Sequence, residues 1–180
     1  ADLTLQAAGE GARLTGTLTV TSGAYREPIT AMARRFSAPQ PAQARGGASP
    51  LDAVELDVRL TASTPIVIEN SAGRIDLVPS MSVRGTLAEP AMFGTLDMVD
   101  DGRLSLLGRT FRLSEARVAF SGDGDPDVLI IGETRVGDYQ VTLRAGGPMT
   151  DMQASYSSDP PLSERDLRSL LVTGRTTDIT

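Results

Sequence analysis

The stretch Val54-Glu-Leu-Asp-Val-Arg-Leu-Thr61 decides the fold class, because every second residue in it is apolar. Successive side chains of a β-strand point to opposite faces of a sheet, so a period of two indicates a strand that is buried on one face only. Residues 14–21 alternate in the same way, with threonine at every polar position. Both stretches therefore predict strands with one apolar and one polar face.

Alternation of this kind recurs along most of the chain. It predicts further strands at 66–68, 74–77, 81–87, 93–98, 103–107, 110–113, 117–120, 128–131, 139–144 and 152–156. Short runs rich in glycine, asparagine, aspartate and proline separate them. Strands joined by such short connections usually pair in chain order, so we expect an all-β fold built as a sequential antiparallel meander.

One segment before residue 51 departs from the β pattern. Apolar residues recur at helical spacing in 27–36 after Pro28, which predicts a short helix. This segment continues into 37–50, where proline, alanine, glycine and glutamine dominate and indicate a flexible linker or exposed loop. We therefore divide the chain into strands and a short helix over 1–36, the linker over 37–50, and the main sheet over 51–180, all within one domain.

A second helix is predicted near the C-terminus, over 163–173. Ser163 can serve as its N-cap, with Asp166 completing a variant of the capping box, and Gly174 stands where a left-handed C-cap belongs. Leu167, Leu170 and Leu171 form its apolar stripe, and Leu162 is placed to pack on Leu167 as a hydrophobic staple. We expect this stripe either to pack on the domain's own sheet or to dock on a partner.

The composition excludes much chemistry. The 180 residues include no His, Cys or Trp, and all 17 basic residues are arginine. No imidazole base, thiol nucleophile, zinc finger or P-loop lysine is available, so we expect no enzyme, no metal and no cofactor. A net charge of -6 with only 4% aromatic residues argues against nucleic-acid binding.

Two charged features allow more than one interpretation. Asp123-Gly-Asp-Pro-Asp127 has the acidic spacing of a calcium loop but lacks the glycine and glutamate of an EF-hand, so it is typical of a solvated hairpin turn. Arginines occur singly along the predicted strands, for example Arg59, Arg103 and Arg144. They favour a solvated outer face, with a contact patch for anionic head groups or an acidic partner as the alternative.

The apolar positions of the strands define the candidate site. They could fill a closed sandwich or barrel, or line one long sheet that curls without sealing and leaves an aliphatic trough. Scarce aromatic core residues favour the trough. The residues expected to line it are Val54, Leu56, Val58, Leu60, Val83, Leu104, Leu106, Phe120, Val141 and Leu143.

Several motifs after residue 51 resemble a known family. These are Thr64-Pro-Ile-Val-Ile-Glu-Asn-Ser-Ala-Gly-Arg-Ile-Asp-Leu77, Val83-Arg-Gly-Thr-Leu-Ala-Glu-Pro90 and, most specifically, Ser157-Ser-Asp-Pro-Pro-Leu-Ser-Glu-Arg-Asp-Leu167 followed by Leu170-Leu-Val-Thr-Gly174. Their succession over about residues 51–174 resembles the C-terminal domain of the TamB family, the inner-membrane subunit of the translocation and assembly module.

This resemblance implies a fold, a location and a function. Members are long periplasmic proteins held in the inner membrane by an N-terminal anchor, so we expect the chain to be a piece of such a protein. The family fold is a folded-over sheet, a taco or half-pipe with an apolar interior that conducts phospholipid between the inner and outer membranes. Its expected partners are phospholipid acyl chains and a TamA-like outer-membrane barrel, with a role in autotransporter assembly. The alternative is a closed structural or adhesive β-module without ligand.

Overall fold

Eleven strands and one helix make up the described part of the chain, residues 2–8, 11–21, 23–25, 53–122 and 124–175 of a computed structural model. The strands are β1 (Asp2–Ala8), β2 (Gly11–Val20), β3 (Gly23–Tyr25), β4 (Val54–Ala62), β5 (Ile66–Asn70), β6 (Gly73–Thr86), β7 (Pro90–Leu106), β8 (Arg109–Ser121), β9 (Asp127–Val136), β10 (Tyr139–Pro148) and β11 (Gln153–Asp159), followed by helix α1 (Glu164–Thr173). The predicted all-β class is confirmed. The helix predicted over 27–36 and the linker over 37–50 lie outside the described residues.

All eleven strands belong to one open sheet. Its main order is β1-β2-β4-β6-β7-β8-β9-β10-β11, and β5 joins β3 to β6 beside this path. From β6 to β11 each strand pairs with the next in antiparallel register. The sheet ends at β1 and β11 without closing into a barrel, which confirms the predicted open, curled meander.

The N-terminal strands break the sequential antiparallel order. β2 pairs with β4 in parallel, and β3 pairs with β5 in parallel, so a purely antiparallel meander is wrong at these two pairings. Parallel neighbours need a connection of about a dozen residues or more. The 33 residues between Val20 and Val54 exceed this length.

Three strands are longer than their alternation predicts. β6, β7 and β8 each join two predicted strands into one, and each contains a shift of register. The shifts fall between Arg74 and Asp76, between Asp97 and Gly102, and between Leu113 and Glu115. Such β-bulges insert unpaired residues and bend a strand without ending it. In β7 and β8 they fall in the gaps between the predicted strands, which is why the polar residues there resemble strand breakers.

Apolar side chains on one face of the sheet form two adjoining clusters. The central cluster comprises Ile68, Ile75, Leu77, Met81, Leu96, Leu113, Ala116 and Phe120. The helix cluster comprises Phe111, Val136, Val141, Leu143, Ala145, Leu167, Leu170 and Leu171. Leu104 and Ile130 pack against both clusters, and the described residues include no buried polar or charged side chain.

Helix α1 has the caps predicted for it. The Asp166 amide donates to the Ser163 Oγ over 3.2 Å, so Ser163 is the N-cap. At the other end Gly174 adopts φ 78° and ψ 11°, and its amide donates to the Leu170 carbonyl oxygen over 2.9 Å. Glycine reaches this left-handed conformation without the penalty of a Cβ.

Candidate functional site

The strand register brings the apolar positions of neighbouring strands onto one side of the sheet. Val58 lies opposite Val83, and Leu104 lies opposite Phe111. Directly opposed residues share a face, and every second residue along a strand shares it too. This face, called here the apolar face, carries all the residues predicted to line the trough: Val54, Leu56, Val58, Leu60, Val83, Leu104, Leu106, Phe120, Val141 and Leu143.

The exposure of this face falls steeply along the sheet. Leu5 of β1 is 66% exposed and Leu18 of β2 is 39% exposed, whereas Leu56 of β4 is 9% exposed and Leu143 of β10 only 1%. Leu5 lies opposite Leu14, which lies opposite Leu56, so the exposed and buried residues belong to one continuous surface. The apolar face is therefore accessible at the β1–β2 end and filled by side chains toward β10.

The predicted lining residues divide into two groups. Six of them belong to the two clusters or pack against them: Leu60, Leu104, Leu106, Phe120, Val141 and Leu143. Val54, Leu56, Val58 and Val83 lie in neither cluster, and all but Leu56 are only half-buried. The second group thus occupies the β4–β6 part of the face, between the exposed N-terminal leucines and the central cluster.

Sequence reasoning missed several members of the same face. Phe111 and Leu113 are almost fully buried, and Ile75, Leu77 and Met81 form much of the central cluster. The last three follow the period-two pattern of 75–81, which could have identified them. Phe111 and Leu113 carried the same signal, but the bulge after Leu113 interrupts the alternation with the rest of β8.

Helix α1 covers the β10 end of the apolar face. Leu167, Leu170 and Leu171 are buried in the helix cluster with Val141 and Leu143, and Leu162 packs against the same cluster. A helix of about ten residues is not stable alone in water, so this burial holds it in place. The covered end of the face is a sealed core, unlike the end at β1 and β2.

The opposite face of the sheet is polar and carries ion pairs between strands. Arg13 pairs with Glu55 at 2.5 Å, and Arg117 pairs with Asp97 at 2.5 Å. The pKa of Asp97 lies below its ordinary value, because the Thr95 hydroxyl and then the Arg117 guanidinium donate hydrogen bonds that favour its charged form. These ion pairs lie on the side away from the apolar face.

The acidic turn after β8, predicted as a solvated turn with a calcium loop as the alternative, is hydrogen-bonded to a neighbouring turn. Asp125 accepts hydrogen bonds from the Thr150 amide, at 2.7 Å, and from the Thr150 hydroxyl, which join the turn after β8 to the turn after β10. Asp123 lies outside the described residues. Within the described ranges no group of three acidic, His or Cys residues could hold a metal ion.

The comparison with protein families agrees with the fold. A family model described as the TamB C-terminal domain matches residues 1–180, the whole chain. The chain belongs to this TamB family. The match extends beyond the motif-bearing residues 51–174 and includes the N-terminal strands. The TamB family is associated with the translocation and assembly module of the cell envelope. The search of curated proteins returned no match.

The single helix of the described residues does not meet the requirements for crossing a bilayer. It has ten residues, whereas a membrane-spanning helix needs about 20 mostly apolar ones. Among the residues that the structure describes, no helix is long and apolar enough to span a membrane.

Proposed function

We propose that the apolar face of this TamB-family chain binds phospholipid acyl chains and forms part of a periplasmic path for lipid between the inner and outer membranes. One observation carries this function: the apolar face is continuous from exposed Leu5 and Leu18 to the half-buried residues around Val58. Contiguous exposed apolar surface on a soluble domain is typical of sites that bind lipid or protein. Aliphatic residues dominate this surface, which suits an acyl chain.

The energetics of such a face favour sliding over storage. Each methylene removed from water gains about 0.8 kcal/mol, so even a short buried stretch of acyl chain is held. Leucine and valine side chains provide no hydrogen bond that would fix the chain at one position. An acyl chain could therefore move along β1, β2 and β4 without a strongly preferred stopping point.

The proposed location and protein partners of the chain rest on its resemblance to the family. Further parts of this function are anchoring in the inner membrane, docking on a TamA-like outer-membrane barrel, and support of autotransporter assembly. The motif Ser157–Leu167, which includes the start of helix α1, supports these roles only through the resemblance. No catalytic step belongs to this function.

Native mass spectrometry tests whether lipid occupies the apolar face. The chain, purified in a mild detergent from a diderm bacterium, should carry phospholipid adducts that Val58→Arg reduces. Arg59→Gln, at the next residue on the polar face, is the matched control and should leave the adducts unchanged. Adducts that are absent from the unaltered chain, or that both variants reduce equally, would contradict the function.

A closed structural or adhesive module is the second candidate, and the helix cluster favours it. Phe111 and Val141 are 0% exposed, so the β8–β10 part of the face is a well-filled core. If the whole apolar face is a filled core of this kind, Val58→Arg unfolds the domain and no phospholipid co-purifies. A thermal unfolding scan of Val58→Arg beside the mass spectra therefore separates the two candidates.

A further inference from the structure

A row of arginines crosses the polar face of the sheet at β6, β7 and β8. Arg74 lies directly opposite Arg103, and Arg103 lies directly opposite Arg112. Like charges placed opposite each other on neighbouring strands destabilise a sheet. Two other arginines of this face lie opposite an acidic residue and pair with it, Arg13 with Glu55 and Arg117 with Asp97. The arginine row therefore lowers the stability of the sheet, and pairing between neighbouring strands gives no reason for its presence.

Two arginines of the row make no ion pair with a described residue. Arg74 is paired with Asp76, at 3.3 Å. In the described part of the chain, neither Arg103 nor Arg112 has a carboxylate within 4.0 Å. Glu133 is the cross-strand partner of Arg112, but its Oε2 accepts a hydrogen bond from the Gln140 amide over 2.8 Å. Arg103 and Arg112 thus make no ion pair, although Asp101 and Glu133 line the same site.

The same arginines line a concave site of about 680 Å³ on the polar face. Arg103, Arg112 and Arg135 come from three adjacent strands, and two carboxylates, Asp101 and Glu133, line the site with them, as do Thr110 and Gln140. The bulges of β7 and β8 lie beside this arginine pocket. Bulges bend strands and redirect side chains, and they are common next to binding sites.

We propose that the arginine pocket binds a phosphate ester. Guanidinium groups match phosphate oxygens with paired hydrogen bonds, and three of them around one concavity could hold a single phosphate from several sides. A bound phosphate would also neutralise the repulsion between Arg103 and Arg112. Glu133 at the wall would accept a hydrogen bond from a hydroxyl or amine carried by the same ligand. The phosphate could belong to a soluble molecule or to a phospholipid head group.

The arginine pocket lies on the face opposite to the apolar face. Phosphate binding can therefore be tested separately from acyl-chain binding. Val58 and Arg112 lie on opposite faces, so the variants that test the two faces do not overlap. Loss of phosphate binding in a chain that still carries co-purified lipid would count against the arginine pocket alone.

Titration calorimetry at low salt tests the pocket with the 180-residue chain. Glycerol 3-phosphate and inorganic phosphate probe the soluble source, while flotation with phosphatidylglycerol and with phosphatidylcholine vesicles probes the head-group source. Arg112→Gln should weaken phosphate binding by about tenfold or more, since a hydrogen bond to a charged group is lost. Arg59→Gln, an exposed arginine of β4 outside the pocket, should stay within about twofold of the unaltered chain.

The melting temperature of Arg112→Gln shows whether a loss of phosphate binding is caused by misfolding of the variant. Because Arg112→Gln relieves repulsion from Arg103, its melting temperature should not fall, and phosphate should stabilise the unaltered chain more than the variant. Binding of glycerol 3-phosphate that depends on Arg112 assigns a soluble source, and binding of phosphatidylglycerol vesicles alone assigns a head group. Absent binding, equal losses in both variants, or a preference for polyglutamate over every phosphate would overturn the proposal.

Discussion

The Arg109 side chain ties the sheet to the end of helix α1: its Nε donates to the Leu171 carbonyl oxygen over 3.2 Å. The last turn of the helix contains no basic residue of its own. A positive charge near the exposed carbonyls of a helix C-terminus is stabilising. Arg109, the first residue of β8, supplies that charge from outside the helix and holds α1 against the apolar face together with the leucine stripe.

Replacing Arg109 should loosen this attachment. Arg109→Gln is expected to lower the free energy of unfolding by about 1–2 kcal/mol, because a charge-assisted hydrogen bond to a partly buried carbonyl is lost. Arg168→Gln is the control, since Arg168 meets Glu164 only at 3.9 Å and both side chains are exposed. Urea denaturation measures both variants, and equal stabilities for the two would show that Arg109 does not hold the helix.

The leucine stripe should contribute more than the arginine. Leu170 is 3% exposed within the helix cluster, so Leu170→Ala should destabilise the chain by about 2–5 kcal/mol. Val172, on the outer side of the same helix, is 67% exposed, and Val172→Ala should change stability by less than about 0.5 kcal/mol. If Leu170→Ala has the same melting temperature as the unaltered chain, packing on the sheet does not anchor the helix.

The N-cap of the helix should act independently of the leucines. Ser163→Ala removes the acceptor of the Asp166 amide and should cost about 1 kcal/mol. Ser157→Ala, in exposed β11, is the matched control and should be close to neutral. Thermal melting followed by circular dichroism tests this difference; a control as destabilised as the cap variant would argue against the assignment of Ser163.

The lowered pKa of Asp97 predicts a pH dependence of stability. Its carboxylate accepts from the Thr95 hydroxyl and from Arg117, so the folded state favours the charged form. This contribution is fully present above the unfolded pKa, about 3.9, and is lost as the pH falls through the lower folded value. Thr95→Val should raise the pKa of Asp97 toward its ordinary value in a carboxyl NMR titration, and an unchanged pKa would exclude Thr95 as the main cause.

Sequence patterns predict local structure better than pairing in this chain. The alternation of 54–61 and the caps at Ser163 and Gly174 depend on neighbours a few residues away, so they can be identified from one sequence. The parallel pairing of β2 with β4 depends on which strands meet in space. Short-range periodicity contains no information about that choice.

For the candidate site too, the sequence predicts which side chains share a face but not which of them are covered. Period two is enough to assign Val54, Leu56, Val58 and Leu60 to one face of a strand. It cannot reveal that α1 covers Leu143 while Leu18 stays exposed, because that difference arises where the helix packs. The row formed by Arg103 and Arg112 is equally hidden from the periodicity, since two bulges set its register.

The central claim is that acyl chains occupy the open part of the apolar face, and site-specific photo-crosslinking tests it most directly. A benzophenone amino acid at Val58 or Leu18, irradiated with vesicles of phosphatidylethanolamine and phosphatidylglycerol, should capture phospholipid. The same probe at Arg59 should capture none, and a probe at Leu143 should do so only when α1 is detached by Leu170→Ala. Equal labelling at Val58 and Arg59, or no labelling at Val58 and Leu18, would contradict the account.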